Sequence, residues 1–307
     1  MSLVVNHNLM AANTARNLNA HYGRLQTSTQ RLSSGMRINS AADDAAGLAI
    51  RELQRADIAA LQQGARNAND AISMIQTADG ALGLIDEKLI RLKELAEQAA
   101  TGTYDSTQRL MIESEYQAMA SEITRIANAT DFNGMKLLDG TLSAAAGKTA
   151  AESHDGSGMV ATGPMKIHFG TENDSAEDYY YIQIGTATAS ARGVGTQAGE
   201  PVDADADART VSTQAAAQKA LVGINNAIVS KDKIRAHLGA LQNRFENTIT
   251  NLTTPSENLQ AAESRISDVD VATEMTQFVR NQILTQSAVA MLSQANSMPQ
   301  MAMQLIH

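Results

Sequence analysis

The sequence predicts a mainly α-helical fold, in which the N- and C-terminal halves form a long coiled-coil-like helical rod around a small middle region with a β-hairpin. Apolar residues recur at alternating spacings of three and four from Ala217 to Val269. A matching pattern runs from Ala68 to Ala99 in the other half of the chain. The pattern is lost across 141–209, which is rich in Gly, Ala, Ser, Thr and Asp. Heptads sustained over this length are typical of paired helices.

The C-terminal seam requires a partner of similar length. Only Lys231, Thr248 and Pro255 interrupt its apolar positions. At 1.5 Å per residue the segment would be about 80 Å long, and such a seam is not stable bare in water. Pro255 lacks a backbone N–H and would clash with the carbonyl of Asn251, so a local kink is expected there.

The first helical segment is predicted over 1–32, where leucines recur every seven residues. Gly35 then permits the positive-φ residue that ends a helix. Ser40 is expected to cap the second helix, with Asp43 and Asp44 near the positive end of its dipole.

The second helix is predicted over 44–100, and its apolar seam is the partner that the C-terminal half requires. A turn follows, and Ser106 is expected to cap a third helix that ends near Asn128. In the last segment, 267–307, Pro299 is expected to end the helix. The apolar residues of that segment have only those of 1–32 to pair with.

The middle region carries turn and strand patterns. Asn133-Gly134 and Asp139-Gly140 are turn dipeptides. A β-hairpin is predicted from the strands Met165–Phe169 and Tyr179–Ile184. The glycine-rich segment 193–199 lacks the GxGxxG spacing and is interpreted as a flexible loop, not a nucleotide-binding loop.

Composition argues against several functional classes. The net charge of −9 is spread along the chain and favours neither nucleic acid nor an anionic membrane. Cysteine is absent, so disulfide and thiolate chemistry are excluded. The six histidines include no HExxH pattern, and His154 with Asp155 is interpreted as a surface loop pair. We therefore expect no enzyme activity, no catalytic residues, no cofactor and no metal.

Several phrases resemble bacterial flagellin, the flagellar filament subunit. They are RLSSGMRINSAADDAAGLAI at 31–50, FNGMKLLDG at 132–140, LGALQNRF at 238–245 and QANSMPQ at 294–300. The resemblance covers about 1–140 and 215–307. It implies three regions: paired terminal helices of an inner-tube domain (1–43 and 267–307), a discontinuous helical rod domain (44–140 and 210–266) and a variable surface-facing region (141–209).

The resemblance also implies a function and partners. The chain would self-assemble into the extracellular flagellar filament for swimming motility. It would leave the cell through the flagellar type III channel, because Met1 to Ala12 does not resemble a cleavable signal peptide. An export chaperone would hold 267–307, and filament cap and hook-junction proteins would be further partners. The residues themselves lead to a further expectation: 1–32 and 267–307 are amphipathic but have little else in the chain to pack on, so the termini would be disordered in the monomer and fold on polymerisation.

A host Toll-like receptor is the last partner that the resemblance implies. Arg91 would be a bidentate donor, Leu95 an apolar anchor and Glu115 a rim charge. The plainer interpretation is that these residues line a contact between subunits, and the two are compatible.

Two other functions fit part of the sequence. A hook–filament junction protein would have the same kind of terminal helices, but the complete N- and C-terminal sequence motifs favour flagellin. A cytosolic coiled-coil adaptor would explain the heptads but not the middle region or the apolar termini.

Overall fold

The computed structural model describes residues 8–143, 163–172, 174, 177–195 and 209–306, with only the backbone at 302–306. The chain divides into two compact units, which we call the terminal unit (Met1–Ile58 and Ser256–His307) and the central unit (Ala59–Pro255). The predicted fold class is confirmed, since long helices dominate and the strands form small hairpins. The helices are α1 (Leu9–Ser34), α2 (Ala45–Ala100), α3 (Ser106–Ala129), α4 (Gln214–Ser267) and α5 (Val271–Ile306); the strands are β1 (Asp131–Phe132), β2 (Met135–Lys136), β3 (Met165–His168) and β4 (Tyr179–Ile182).

The junction between α1 and α2 differs in part from the expectation. Gly35 ends α1 as predicted, with φ 72° and its N–H donating to the carbonyl of Arg31. Ser40 does not cap α2. Asp44 does, because its side chain accepts from the N–H of Gly47 at 2.9 Å and its carbonyl accepts from that of Leu48. The carboxylate of Asp43 instead accepts from the N–H groups of Asn39 and Ser40, which closes a turn before the helix.

The two interhelical connections of the terminal unit are hydrogen-bonded to each other. Arg37 N donates to Ser267 O at 2.6 Å, and Val269 N donates to Gly35 O at 3.0 Å. Met36 and Asp268 form an isolated antiparallel bridge between these bonds. The break between α1 and α2 is therefore joined to the break between α4 and α5.

Helices α1 and α5 pack together in the terminal unit, as the apolar termini predicted. The expectation that Pro299 ends the last helix is wrong, because α5 continues to Ile306. Proline at 299 leaves the carbonyl of Ala295 without its helical donor. In the structure Nδ2 of Asn8 donates to that oxygen at 2.8 Å, while Oδ1 of Asn8 accepts from Ala11 N and caps α1.

The central unit is built on the seams that the heptads predicted. Apolar residues of α2, α3 and α4 share one buried core, which includes Ile75, Leu82, Ile123, Ile224 and Leu238. Helix α4 runs without interruption through Pro255, the last residue of this unit.

The start of α3 also differs from the expectation. Ser106 is the first helical residue, and Asp105 is the N-cap. The side chain of Gln108 reaches back and accepts from the N–H of Asp105 at 3.0 Å. This is a capping box, and it begins one residue earlier in the chain than the expected cap at Ser106.

The predicted hairpin of the middle region is present, and a second hairpin forms at the predicted turn dipeptide Asn133-Gly134. Strands β1 and β2 pair around Asn133 and Gly134, which have φ 51° and 80°, as a tight hairpin turn requires. Strands β3 and β4 pair antiparallel from Met165↔Ile182 to His168↔Tyr179. The carbonyl of His168 accepts from Nδ2 of Asn67 on α2 at 2.8 Å, so the β3–β4 hairpin is tied to the helices.

Candidate functional site

The predicted receptor-contact residues lie on α2 and α3. Arg91 donates from Nε and Nη2 to Oε1 of Glu115, at 3.0 and 2.7 Å, and from Nη1 to Glu94 at 2.9 Å. The hydrogen bonds to Glu115, and to a smaller extent the bond to Glu94, raise the pKa of Arg91. The side chains of Arg91 and Glu115 are 47% and 45% exposed, so the pair is available at the surface of the free chain.

Leu95 does not join this pair at the surface. It is 1% exposed, because it follows the seam residue Leu92 by three positions and shares its buried face. In this structure a partner molecule could touch the Arg91–Glu115 pair but not an apolar anchor at Leu95. Receptor contact at these residues stays a prediction.

A second candidate surface lies on the helices of the terminal unit. Val271, Met275, Val279 and Ile283, which we call the α5 stripe, recur every four residues and are 44–58% exposed. On α1, Leu9 is 68% exposed and Tyr22 54%.

The interior of the terminal unit is correspondingly poor in apolar side chains. Among its described residues only Ile38, Ala288 and Ala295 are buried apolar residues. Its other buried residues are polar or charged. The α1–α5 pair therefore leaves most of its large apolar side chains in water, which marks an association surface.

Groups capable of chemistry are sparse in the part of the chain that the structure describes. There, no cluster of three or more His, Asp or Glu could bind a metal ion, and no helix could cross a membrane. His154 and Asp155 lie outside the described residues. Burial, and next the charge of Glu113, raises the pKa of Tyr116 above its usual range, which keeps the phenol protonated in the core.

Two ion pairs between α2 and α4 were not predicted. Lys231 contacts Asp86, and Arg235 contacts Asp79. One signal was present in the sequence, because Lys231 is the only charged residue at an α4 seam position. The sequence carried no such signal for the acidic partners, because Asp79 and Asp86 look like any other solvated position of a helix.

Comparison with known proteins gives one consistent result. The family model of the bacterial flagellin N-terminal helical region matches residues 5–143, and that of the C-terminal helical region matches 221–306. A flagellin of Bacillus subtilis is 41% identical over 304 residues, covering 98% of this chain and 99% of its own length. A flagellar filament 33 kDa core protein of Treponema phagedenis is 38% identical, covering 99% of this chain and all of its own length.

A solved structure supports the fold. That of a putative flagellar hook-associated protein from Vibrio parahaemolyticus superposes with a TM-score of 0.54 at 16% identity, covering 74% of this chain and all of the other. At this identity the likeness concerns the fold alone. The two family models and the full-length relatives show that this chain belongs to the bacterial flagellin family.

Proposed function

We infer that this chain is a structural subunit that self-assembles into the bacterial flagellar filament and so serves swimming motility. The observation that carries this function is the exposed α5 stripe of the terminal unit, together with the few buried apolar side chains among the described residues of that unit. Burial of one Val, Ile or Met side chain contributes about 1.5–3 kcal/mol. Contact with further subunits would bury these side chains and so drive polymerisation.

Polar substitution of the α5 stripe tests this mechanism. Val279→Gln combined with Ile283→Gln should preserve helical circular dichroism, because both side chains are exposed in the free chain. The variant should form no long filaments in negative-stain micrographs of concentrated protein. Ala191→Gln, at an exposed position of the middle region, is the matched control and should polymerise normally. Normal filaments from the stripe variant would contradict the proposed role of α5.

The same micrographs separate the alternatives. Long uniform filaments from the unaltered chain support a filament subunit, whereas dispersed particles would favour an adaptor or a junction protein. The likeness to a hook-associated protein does not favour the junction role, since it concerns the fold alone.

We further propose the arrangement of regions in the filament. The terminal helices, 1–43 and 267–307, would line the inner tube. The segments 44–140 and 210–266 would form the next layer, and 141–209 would face outward. The surface apolar residues of α1 and α5 support an inner position for the termini, because such residues are stable where neighbouring subunits exclude water.

The export route is a separate proposal. The chain would pass unfolded through the flagellar type III channel, with a chaperone bound to 267–307. The exposed apolar residues of α5 are suitable for a protein that binds unfolded chains. Deletion of 267–307 should abolish capture of the chaperone in a pull-down, and unchanged capture would refute this assignment. Filament cap and hook-junction proteins would contact the polymer at its ends.

Recognition of the monomer by a host Toll-like receptor is the last proposal. The exposed Arg91–Glu115 pair supports it, because a guanidinium held in place loses little freedom when it binds a further acceptor. Arg91→Ala should strongly reduce receptor signalling by monomer. Arg125→Ala is the control, since it removes another exposed arginine that pairs with a glutamate, Glu122. An equal dose response for Arg91→Ala and the unaltered chain would exclude this site.

A further inference from the structure

A lysine lies inside the apolar seam of the central unit. Lys231 is 2% exposed and occupies the seam position between Ala227 and Ile234. Its Nζ donates to Oδ1 of Asp86 on α2 at 2.5 Å and lies 2.8 Å from Oδ1 of Asp232. A buried ammonium is costly unless it is paired. Asp232 lies on the same helix as Lys231, so Asp86 is the partner whose position depends on how α4 is aligned with α2.

A second ion pair lies about one turn further along. Arg235 donates to both carboxylate oxygens of Asp79, from Nε to Oδ1 at 2.7 Å and from Nη2 to Oδ2 at 3.1 Å. The order of the two pairs shows that α2 and α4 run antiparallel here, because Arg235, the later of the two α4 residues, pairs with Asp79, the earlier of the two α2 residues. Asp79 and Asp86 are one heptad apart.

The apolar seam by itself selects register weakly. Many of its buried residues are alanines, among them Ala71, Ala78, Ala217, Ala220 and Ala227. A shift of one heptad, about 10 Å, would again bring apolar residues against apolar residues. The short turn at 101–105 sets the alignment of α2 with α3. Helix α4 follows a long connection whose last residues are bonded to α3, since Val211 N donates to Glu113 and Nε2 of Gln117 donates to the carbonyl of Arg209. These bonds join the segment before α4 to α3 and not to α2.

We propose that Lys231 and Arg235 fix the register of α4 against α2, with Asp86 and Asp79 as their partners. This role is independent of the filament function inferred above, because it concerns the folding of one chain. Polar residues at seam positions are known to specify register in coiled coils.

The neighbouring registers each lose one of the two pairs. A shift in one direction brings Lys231 opposite Lys93, which repels it, and leaves Arg235 opposite Asp86. A shift in the other direction brings Lys231 opposite Asp79 and leaves Arg235 opposite Ile72. Of these three registers, only the observed one places a carboxylate of α2 opposite both cations.

Spin-label distances measured on the full-length monomer test the proposal. The chain has no cysteine, so cysteines introduced at the exposed positions Glu87 and Asn251 can be labelled specifically. After refolding from urea, the parent should show one distance. Lys231→Met should add a second population displaced by about 10 Å, the length of one heptad. Lys233→Met, at an exposed position of the same helix, is the control and should show the parent distance alone.

A second variant tests the idea without altering the core. Lys93→Asp combined with Asp79→Asn leaves the native register with one ion pair, Lys231 with Asp86. In the register shifted by one heptad, Lys231 would pair with residue 93 and Arg235 with Asp86. Lys93 is exposed and Asp79 is 41% exposed, so the variant should fold. The displaced distance should appear as a major population. The native distance alone in this variant, or in a folded Lys231→Met chain, would overturn the proposal.

Discussion

At the scale of single residues, Gly64 shows how closely the β3–β4 hairpin approaches α2. A Cβ built on Gly64 would lie 2.0 Å from the carbonyl oxygen of Phe169. The obstacle is backbone, which cannot rotate away as a side chain can. Glycine is required at this helical position because the hairpin chain occupies the space of a side chain.

Substitution of this glycine by alanine has a definite expected cost. Gly64→Ala should lower the free energy of unfolding by about 1–3 kcal/mol, as overpacking of a close contact does. The measurement is urea unfolding of the monomer followed by circular dichroism. Gly80→Ala is the matched control in the same helix, since a Cβ there meets nothing within 4 Å. The control should stabilise the chain by about 0.5–1 kcal/mol, because alanine restricts the unfolded backbone more than glycine. Equal effects of the two substitutions would contradict the close approach.

At the scale of elements, the helices were predicted better than their ends. Periodicity identifies α2 and α4 because each apolar face repeats over many turns. Caps depend on one side chain. Ser40 and Ser106 were the expected caps of α2 and α3, whereas the structure has Asp44 and Asp105 in these places. Backbone geometry decides between such neighbours, and a linear pattern does not contain it. The pairing of Arg91 with Glu115 escaped prediction for a similar reason, since it joins two helices at a spacing of 24 residues.

The continuation of α5 through Pro299 depends on a residue almost the whole chain away. Asn8 supplies the donor that Ala295 O loses to the proline. Asn8→Asp should keep the cap of α1, because a carboxylate oxygen can still accept from Ala11 N, but it removes the donor to α5. Amide exchange near Ala295 should become faster, by an amount equivalent to about 0.5–1.5 kcal/mol for one hydrogen bond.

The matched background for this experiment is Pro299→Ala. Alanine restores a backbone N–H that can donate to Ala295 O. The effect of Asn8→Asp on exchange should therefore be smaller in that background, and the difference measures the coupling between the two positions. Equal effects in both backgrounds would mean that Asn8 does not compensate for the proline.

At the scale of the whole molecule, the two units differ in what holds them together. The central unit has a continuous core that includes Tyr116, Phe245 and many buried leucines and isoleucines. The terminal unit buries mainly polar residues and alanines in the part that the structure describes. Ordering a residue costs about 1–2 kcal/mol of backbone entropy. The few apolar side chains that the terminal unit buries offset only a small part of that cost.

Limited proteolysis of dilute monomer should therefore distinguish α1 and α5 from the helices that build the core of the central unit. Subtilisin should remove both ends and stop near Asp43 and Ile266, because the terminal helices open often and the central helices do not. The trimmed core should retain its helical circular dichroism, since its seams cover one another without the termini. It should fail to polymerise, because the α5 stripe has been removed. The intact chain held in filaments is the control, and its ends should resist the protease if subunit contacts supply the missing apolar cover. Protection of both ends in dilute monomer, or normal filaments from the trimmed core, would show that folding of the termini and assembly are separate steps.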